Sequence, residues 1–235
     1  GYGTIARLGS AAKIESLLLR EYVRQRQSVP QPEPGEQTSG GYTDIFYTGV
    51  LGPIVDVDVE SLYPSIMITE RIAPAREPLG VFTALLEHLT AMRLEAKRAM
   101  EAAPAGSADR AALDARQSSF KALINSFYGY LGYSRGLFND MKAADLVTRT
   151  GQAILRKLMF DLTTRGAAVI EVDTDGIYFV PPPAVKSEAE EQQFVSLVAS
   201  ALPPGINLAV AGRFRKMLSY KKKNYALLGY DKKVR

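Results

Sequence analysis

The 235-residue sequence predicts an α+β fold: an antiparallel sheet with packed helices and one antiparallel helical hairpin inserted between strand segments. Three stretches carry that prediction. Ile54 to Val59 has a strand period, two long helical spans flank the breaker Ala103-Pro-Ala-Gly-Ser107, and residues 168 to 180 read as a β-hairpin.

In chain order, Ile14, Leu17, Leu18, Leu19, Tyr22 and Val23 recur at helical spacing within 12 to 26, and this helix should end before Pro30. Residues 27 to 41, rich in Gln, Pro, Glu and Gly, predict a surface loop. In the strand that follows, Val55, Val57 and Val59 share one face while Asp56 and Asp58 share the other, so carboxylates stand on the non-core side. Helices are expected at 81 to 102 and 109 to 131 as antiparallel neighbours, then a long helix at 140 to 165 stopped by Gly166. Ala168 to Val172 and Ile177 to Val180 should pair through Asp173-Thr-Asp-Gly176 with an Asp-Gly turn. Pro181-Pro-Pro183 ends that hairpin, and Ser187 with Glu190 forms a capping box for a helix to 201. Ile206 to Val210 and Asn224 to Leu228 read as further strands.

Composition narrows the chemistry. With 46% hydrophobic residues the chain can bury a substantial core, and no apolar run reaches the roughly 18 to 20 residues of a membrane span, so no membrane partner is expected. There is no cysteine, and His88 is the single histidine, so disulfides, thiolate chemistry and Cys-ligated zinc are excluded. Catalysis would rest on carboxylates, hydroxyls, Lys and Arg. Net charge is +4, with basic residues gathered at Lys221-Lys-Lys223 and Asp231-Lys-Lys-Val-Arg235, which suits a polyanionic partner, although most short basic runs are merely solvated surface.

The strongest chemical feature is Asp58 together with Asp173 and Asp175, all at strand ends. Facing carboxylates repel unless cations lie between them, and oxygen-only ligands select hard ions such as Mg²⁺. The competing reading makes Asp173 and Asp175 ordinary turn residues. After Asp58 the chain turns into a helix at Glu60-Ser-Leu-Tyr-Pro-Ser-Ile66, whose first amides suit a phosphate chain. Arg93 and Lys97 fall at i, i+4, and Lys121, Asn125 and Tyr128 at i, i+4, i+7, so each set shares one helix face. Plain surface charge is the alternative for Arg93 and Lys97.

Taken together, these segments resemble a known family. Asp58-Val-Glu-Ser-Leu-Tyr-Pro-Ser-Ile66 resembles motif A of family B DNA polymerases, Lys121-Ala-Leu-Ile-Asn-Ser-Phe-Tyr-Gly129 their motif B, and Asp173-Thr-Asp-Gly-Ile-Tyr-Phe179 their motif C. Lys221-Lys-Lys-Asn-Tyr225 resembles the lysine-tyrosine element that grips duplex behind the primer end, and all four occur in the family's order. Weaker similarity runs through Gly40-Gly41, Arg93 to Lys97 and Val147-Thr-Arg-Thr-Gly151. Two positions depart from the pattern: Gly176, where the family more often has Ser, and Asn224, which interrupts the lysine-tyrosine spacing.

The resemblance implies a palm in two parts, 1–78 and 132–235, with the fingers hairpin at 79–131, and an exonuclease region and thumb that would lie outside the chain. It implies a template-directed DNA polymerase core that adds deoxynucleotides to a primer 3′ end with two Mg²⁺ ions. Asp58, Asp175 and the Val59 carbonyl would hold metal, with Asp173 in a supporting catalytic role. Ser61, Leu62, Arg93, Lys97, Lys121 and Asn125 would contact the triphosphate, and Tyr63 would lie beneath the sugar, leaving no room for a 2′-hydroxyl. Tyr128 and Gly129 would stand beside the nascent base pair, while Gly40, Gly41, Lys221, Lys222, Lys223 and Tyr225 would touch primer-template DNA. The partners are then primer-template and deoxynucleoside triphosphates, in the cytoplasm or at the nucleoid. The rival readings are a palm-type RNA polymerase or nucleotide cyclase, which would lack Tyr63 and the motif B helix, and a catalytically inactive fragment that only binds primer-template.

Overall fold

The computed structural model describes residues 9–234; the first eight residues of the expected 1–78 segment, and Arg235 of the terminal basic cluster, lie outside them. The architecture is the expected α+β class, with mixed helix and antiparallel sheet. Among the described residues no helix is long and apolar enough to cross a membrane. The chain forms two compact units, one from the described residues up to Ser39 with Ile66–Val147, the other from Gly40–Ser65 with the described residues after Val147.

The first unit is helical. It contains α1 (Ser10–Arg24), the end of α2 (Leu62–Thr69), α3 (Val81–Ala102), α4 (Ala108–Leu131) and the start of α5 (Met141–Thr164). The expected hairpin is α3 and α4, and Ser107 caps α4 by accepting from the Arg110 N–H at 3.2 Å. Aromatic contacts tie the helices together: Phe82 meets Phe127 edge-on at 5.1 Å, and Tyr22 meets Phe138 at 4.7 Å. Two carboxylates satisfy polar groups inside this core. Glu77 accepts from Tyr22 Oη and the Phe82 N–H, and Glu15 from Tyr130 Oη and the Leu137 N–H. Those bonds explain how a Tyr hydroxyl can be buried: Tyr22 is pushed up to about 12, first by burial and then by Glu77.

The second unit is built on a seven-stranded antiparallel sheet: β1 (Thr43–Ile45), β2 (Gly49–Leu51), β3 (Ile54–Val59), β4 (Ala168–Asp173), β5 (Gly176–Val180), β6 (Leu208–Lys221) and β7 (Asn224–Gly229). The order is β1-β4-β5-β3-β6-β2, with β7 on β6. β3 therefore lies inside the sheet, flanked by β5 and β6, and its Val55, Val57 and Val59 are fully buried as the alternation predicts. On the opposite face Ile54 is also buried, packed with Ile170, Phe214, Met217 and Leu227, so the carboxylate side of β3 has one apolar wall.

α6 (Glu188–Ala199) has the expected capping box at Ser187 and Glu190. Arg213 of β6 anchors it through Glu188 at 2.7 Å and through the buried Glu191. Gly166 takes φ +87 after α5, as a helix-ending glycine should. Three features were not read from the sequence: the short strands β1 and β2 lie in a stretch with no periodic signal, and β6 is far longer than Ile206 to Val210. Register shifts in the ladders of β6 with β3 and β7 break its alternation, which hides a 14-residue strand from period-2 reasoning.

Candidate active site

The sheet topology brings the carboxylates of β3 and of the β4–β5 hairpin together. Asp58 stands opposite Gly176 in the β3–β5 ladder, and Asp173 opposite Gly176 in the β4–β5 ladder. The Val59 N–H donates to the Asp175 carbonyl at 2.8 Å, fixing the hairpin tip to the end of β3.

The tip is not the expected Asp-Gly turn. The Asp175 N–H donates to the Asp173 carbonyl at 2.7 Å across Thr174, whose φ is +63, which is a γ-turn, and Gly176 already belongs to β5. A β-branched residue at positive φ costs on the order of 1–3 kcal/mol and needs outside support. Here the Thr174 N–H donates to the Tyr42 carbonyl at 2.8 Å, and Thr174 Oγ1 donates to Asp173 Oδ1 at 3.1 Å.

Asp56, Asp58, Asp173 and Asp175 line a cleft of about 270 Å³, with Tyr178 and Tyr225 on its wall. Sequence reasoning placed Asp56 on this face but gave it no role. Burial, then the charges of Asp58 and Asp175, push the Asp56 carboxyl from 3.8 up to about 7. Tyr178 and Tyr225 share a hydroxyl–hydroxyl hydrogen bond of 3.0 Å, and burial raises Tyr178 well above the usual phenol range. This pair carries the cleft wall back to the apolar cluster around Ile54.

The donor set fits a hard divalent cation. Every side-chain donor in the cleft is an oxygen, and Asp56 is raised first by burial and then by the like charges of Asp58 and Asp175, a repulsion that a cation would relieve. Among the described residues no three acidic or histidine side chains are already gathered as a ligand set. The fit is therefore to an ion held by one or two carboxylates and completed by carbonyls, water and substrate.

Asp173 is held by three side-chain donors. Lys223 Nζ lies 2.8 Å from Oδ1, joined by Thr43 Oγ1 at 3.3 Å and Thr174 Oγ1. The Asp173 carboxylate in turn raises Lys223. Lys222 pairs with Asp44 at 2.8 Å and holds that carboxyl below its usual range. The basic element is thus a hairpin tip between β6 and β7, with Lys223 at φ +59. Its backbone is seated on the fully buried Glu171, whose Oε1 accepts the Lys223 N–H at 2.6 Å. Lys221 lies over the Tyr220 ring at 5.9 Å.

The remaining expected residues fall as follows. Ser61 has φ +49 at the turn into α2, Leu62 is buried, and the half-buried Tyr63 lies in the first turn. The Gly40 carbonyl accepts from Gln152 Nε2 at 2.7 Å, and Gly41 packs against Thr174 and Tyr63. In the helical unit, Arg93 and Lys97 are half-buried on α3, while Lys121, Asn125 and Gly129 form an exposed row along α4. Tyr128 Oη accepts from Gln37 Nε2 at 2.6 Å.

Comparison with known proteins agrees with this arrangement. The sequence model described as DNA polymerase family B matches residues 69–235. DNA polymerase 1 of Pyrococcus abyssi is 28% identical over 98% of this chain and 34% of its own length. The DNA polymerase of Archaeoglobus fulgidus is 26% identical over 97% of this chain and 31% of its own length. A solved structure of the family B DNA polymerase from Pyrobaculum calidifontis superposes with a TM-score of 0.74 at 25% identity, covering 97% of this chain and 32% of that one. The chain spans about a third of the length of the curated relatives it matches.

Proposed function

The chain belongs to DNA polymerase family B, and we propose that it is the palm and fingers core of a DNA-directed DNA polymerase, extending a primer with deoxynucleotides. One observation carries the reading: β3 and the β4–β5 hairpin gather Asp56, Asp58, Asp173 and Asp175 in a single acid-lined cleft. Asp58 and Asp175, with the Val59 carbonyl, would hold two Mg²⁺ ions, which when bound activate the primer hydroxyl and offset charge on the transferring phosphate. The protein's own contribution is positioning and water exclusion. Asp173, bonded to Lys223 and two hydroxyls, orients the hairpin tip and the lysine in a supporting catalytic role.

The palm is assigned to 1–78 and 132–235 and the fingers to 79–131. Arg93, Lys97, Lys121 and Asn125 are assigned to the triphosphate together with the Ser61 and Leu62 amides, and Tyr128, Gly129, Gly40 and Gly41 to the base pair and template. The primer-template is gripped through the Lys221–Tyr225 tip. The protein works where DNA is, in the cytoplasm or at the nucleoid. Primer extension in Mg²⁺ is the direct test, and intact primer-template binding without extension would favour the catalytically inactive binding fragment.

Two further results are expected. Tyr63→Ala should raise incorporation of ribonucleotides relative to deoxynucleotides by about 10-fold or more, because removing the ring opens the space at C2′. Competing dNTP and rNTP in single-turnover extension measures this, and an unchanged ratio would leave Tyr63 as a packing residue. Replacing Lys221, Lys222 and Lys223 with Ala should flatten the salt dependence of DNA binding. Each duplex phosphate neutralised contributes about 0.9 to the log–log slope, but Lys222 and Lys223 leave Asp44 and Asp173 behind, which recover cations. The expected loss is therefore between about one and two, read by fluorescence anisotropy across salt, and an unaltered slope would remove this tip from the DNA path.

A further inference from the structure

Gly41 is enclosed by the two residues that matter most to nucleotide choice and hairpin geometry. An ideal Cβ placed on it would lie 2.9 Å from Thr174 Cγ2, 3.1 Å from Thr174 Oγ1 and 3.1 Å from Tyr63 Oη. Gly41 does not take a positive φ, so its backbone would accept any side chain and the exclusion is one of space. The segment cannot simply retreat. On one side the Gly40 carbonyl is held by Gln152 Nε2, and on the other the Tyr42 carbonyl accepts the Thr174 N–H while the Tyr42 ring lies under Arg156 at 5.3 Å.

Thr174 cannot easily yield either, since its backbone is locked at φ +63 and its hydroxyl is committed to Asp173. The Tyr63 phenol is the far end of a longer side chain, at a separation that a shift of a few tenths of an ångström relieves. We propose that the missing side chain of Gly41 sets the position of the Tyr63 hydroxyl, making Gly41 a positioning residue for selection of the nucleotide sugar. The inference rests on the reading of Tyr63 as the residue beneath the sugar. A side chain at 41 would displace the phenol by a few tenths of an ångström, loosening the fit to deoxyribose and opening room for a 2′-hydroxyl.

The test is equilibrium binding, so that turnover is not required. Affinities of a dNTP and the matching rNTP are measured on the full chain with primer-template whose primer ends in a dideoxynucleotide, in Mg²⁺. Gly41→Ala should lower the dNTP-over-rNTP ratio by about threefold to tenfold, the scale of a sub-ångström misplacement. Tyr63→Phe keeps the ring and removes only the oxygen that the new Cβ would meet, so Gly41→Ala/Tyr63→Phe should return to the ratio of Tyr63→Phe alone. An unchanged ratio in Gly41→Ala, or a double variant that stays at the Gly41→Ala value, overturns the proposal. Tyr63→Ala run alongside separates the two readings: if it leaves the ratio unmoved, Tyr63 itself does not judge the sugar, and the role of Gly41 falls with it. If Gly41→Ala does not fold, the same comparison is made with Thr174→Ser present throughout, which removes the Cγ2 contact and leaves the Tyr63 contact to be read.

Discussion

Asp58→Asn and Asp175→Asn are each expected to abolish primer extension, by at least about 10²- to 10³-fold, with the fold retained. The amide has nearly the shape of the carboxylate, so the change removes charge and metal affinity without opening a cavity. The backbone bond from the Val59 N–H to the Asp175 carbonyl does not involve the substituted side chain, so the hairpin tip should stay tied to β3. Extension in Mg²⁺ and thermal melting by circular dichroism, measured on the same preparations, check both halves. Near-normal extension by either variant would take the catalytic role away from this cleft. A loss of extension accompanied by a collapsed melting transition would place these aspartates in folding instead.

Periodicity made most of the elements legible before any coordinates. The alternation of Val55, Val57 and Val59 located β3 to the residue, and the breaker between 103 and 107 separated α3 from α4. Local pattern fails where the cause is distant. Thr174 takes its unusual backbone because a carbonyl 132 residues earlier in the chain, that of Tyr42, accepts its N–H, and no property of Asp-Thr-Asp-Gly reveals that partner. Lys223 is likewise read from sequence as one of three equivalent basic residues. In the folded chain it stands on Asp173 of the acid cleft, while Lys222 stands on Asp44 of β1. Asp56 is a different case. Its parity with Asp58 was visible, and what distinguishes it from a solvated carboxylate is its burial in the folded chain, followed by the charges of Asp58 and Asp175.

That burial leads to a pH dependence that should also be large. In chelator, the stability of the protein is expected to fall as pH rises from about 4 to 7, by an amount on the order of 2–4 kcal/mol attributable to Asp56. In the unfolded chain the Asp56 carboxyl ionises near its ordinary 3.8, whereas in the folded chain it keeps its proton to about 7. Between those values the native state binds more protons than the unfolded state, so the slope of unfolding free energy against pH is negative. Below about 4 both states are protonated and the term vanishes; above about 7 both are ionised and the full cost is present. The upper figure is the whole shift, and the lower one discounts it for the solvent that reaches a cleft open at one side. Asp56→Asn cannot ionise and should flatten this slope, leaving the variant more stable than the wild type at pH 8 and close to it at pH 4. Urea unfolding at several pH values, followed by far-UV circular dichroism, measures both curves. Parallel curves for the two proteins would mean that Asp56 is solvated in solution, and that the repulsion assigned to the cleft is already relieved without a cation.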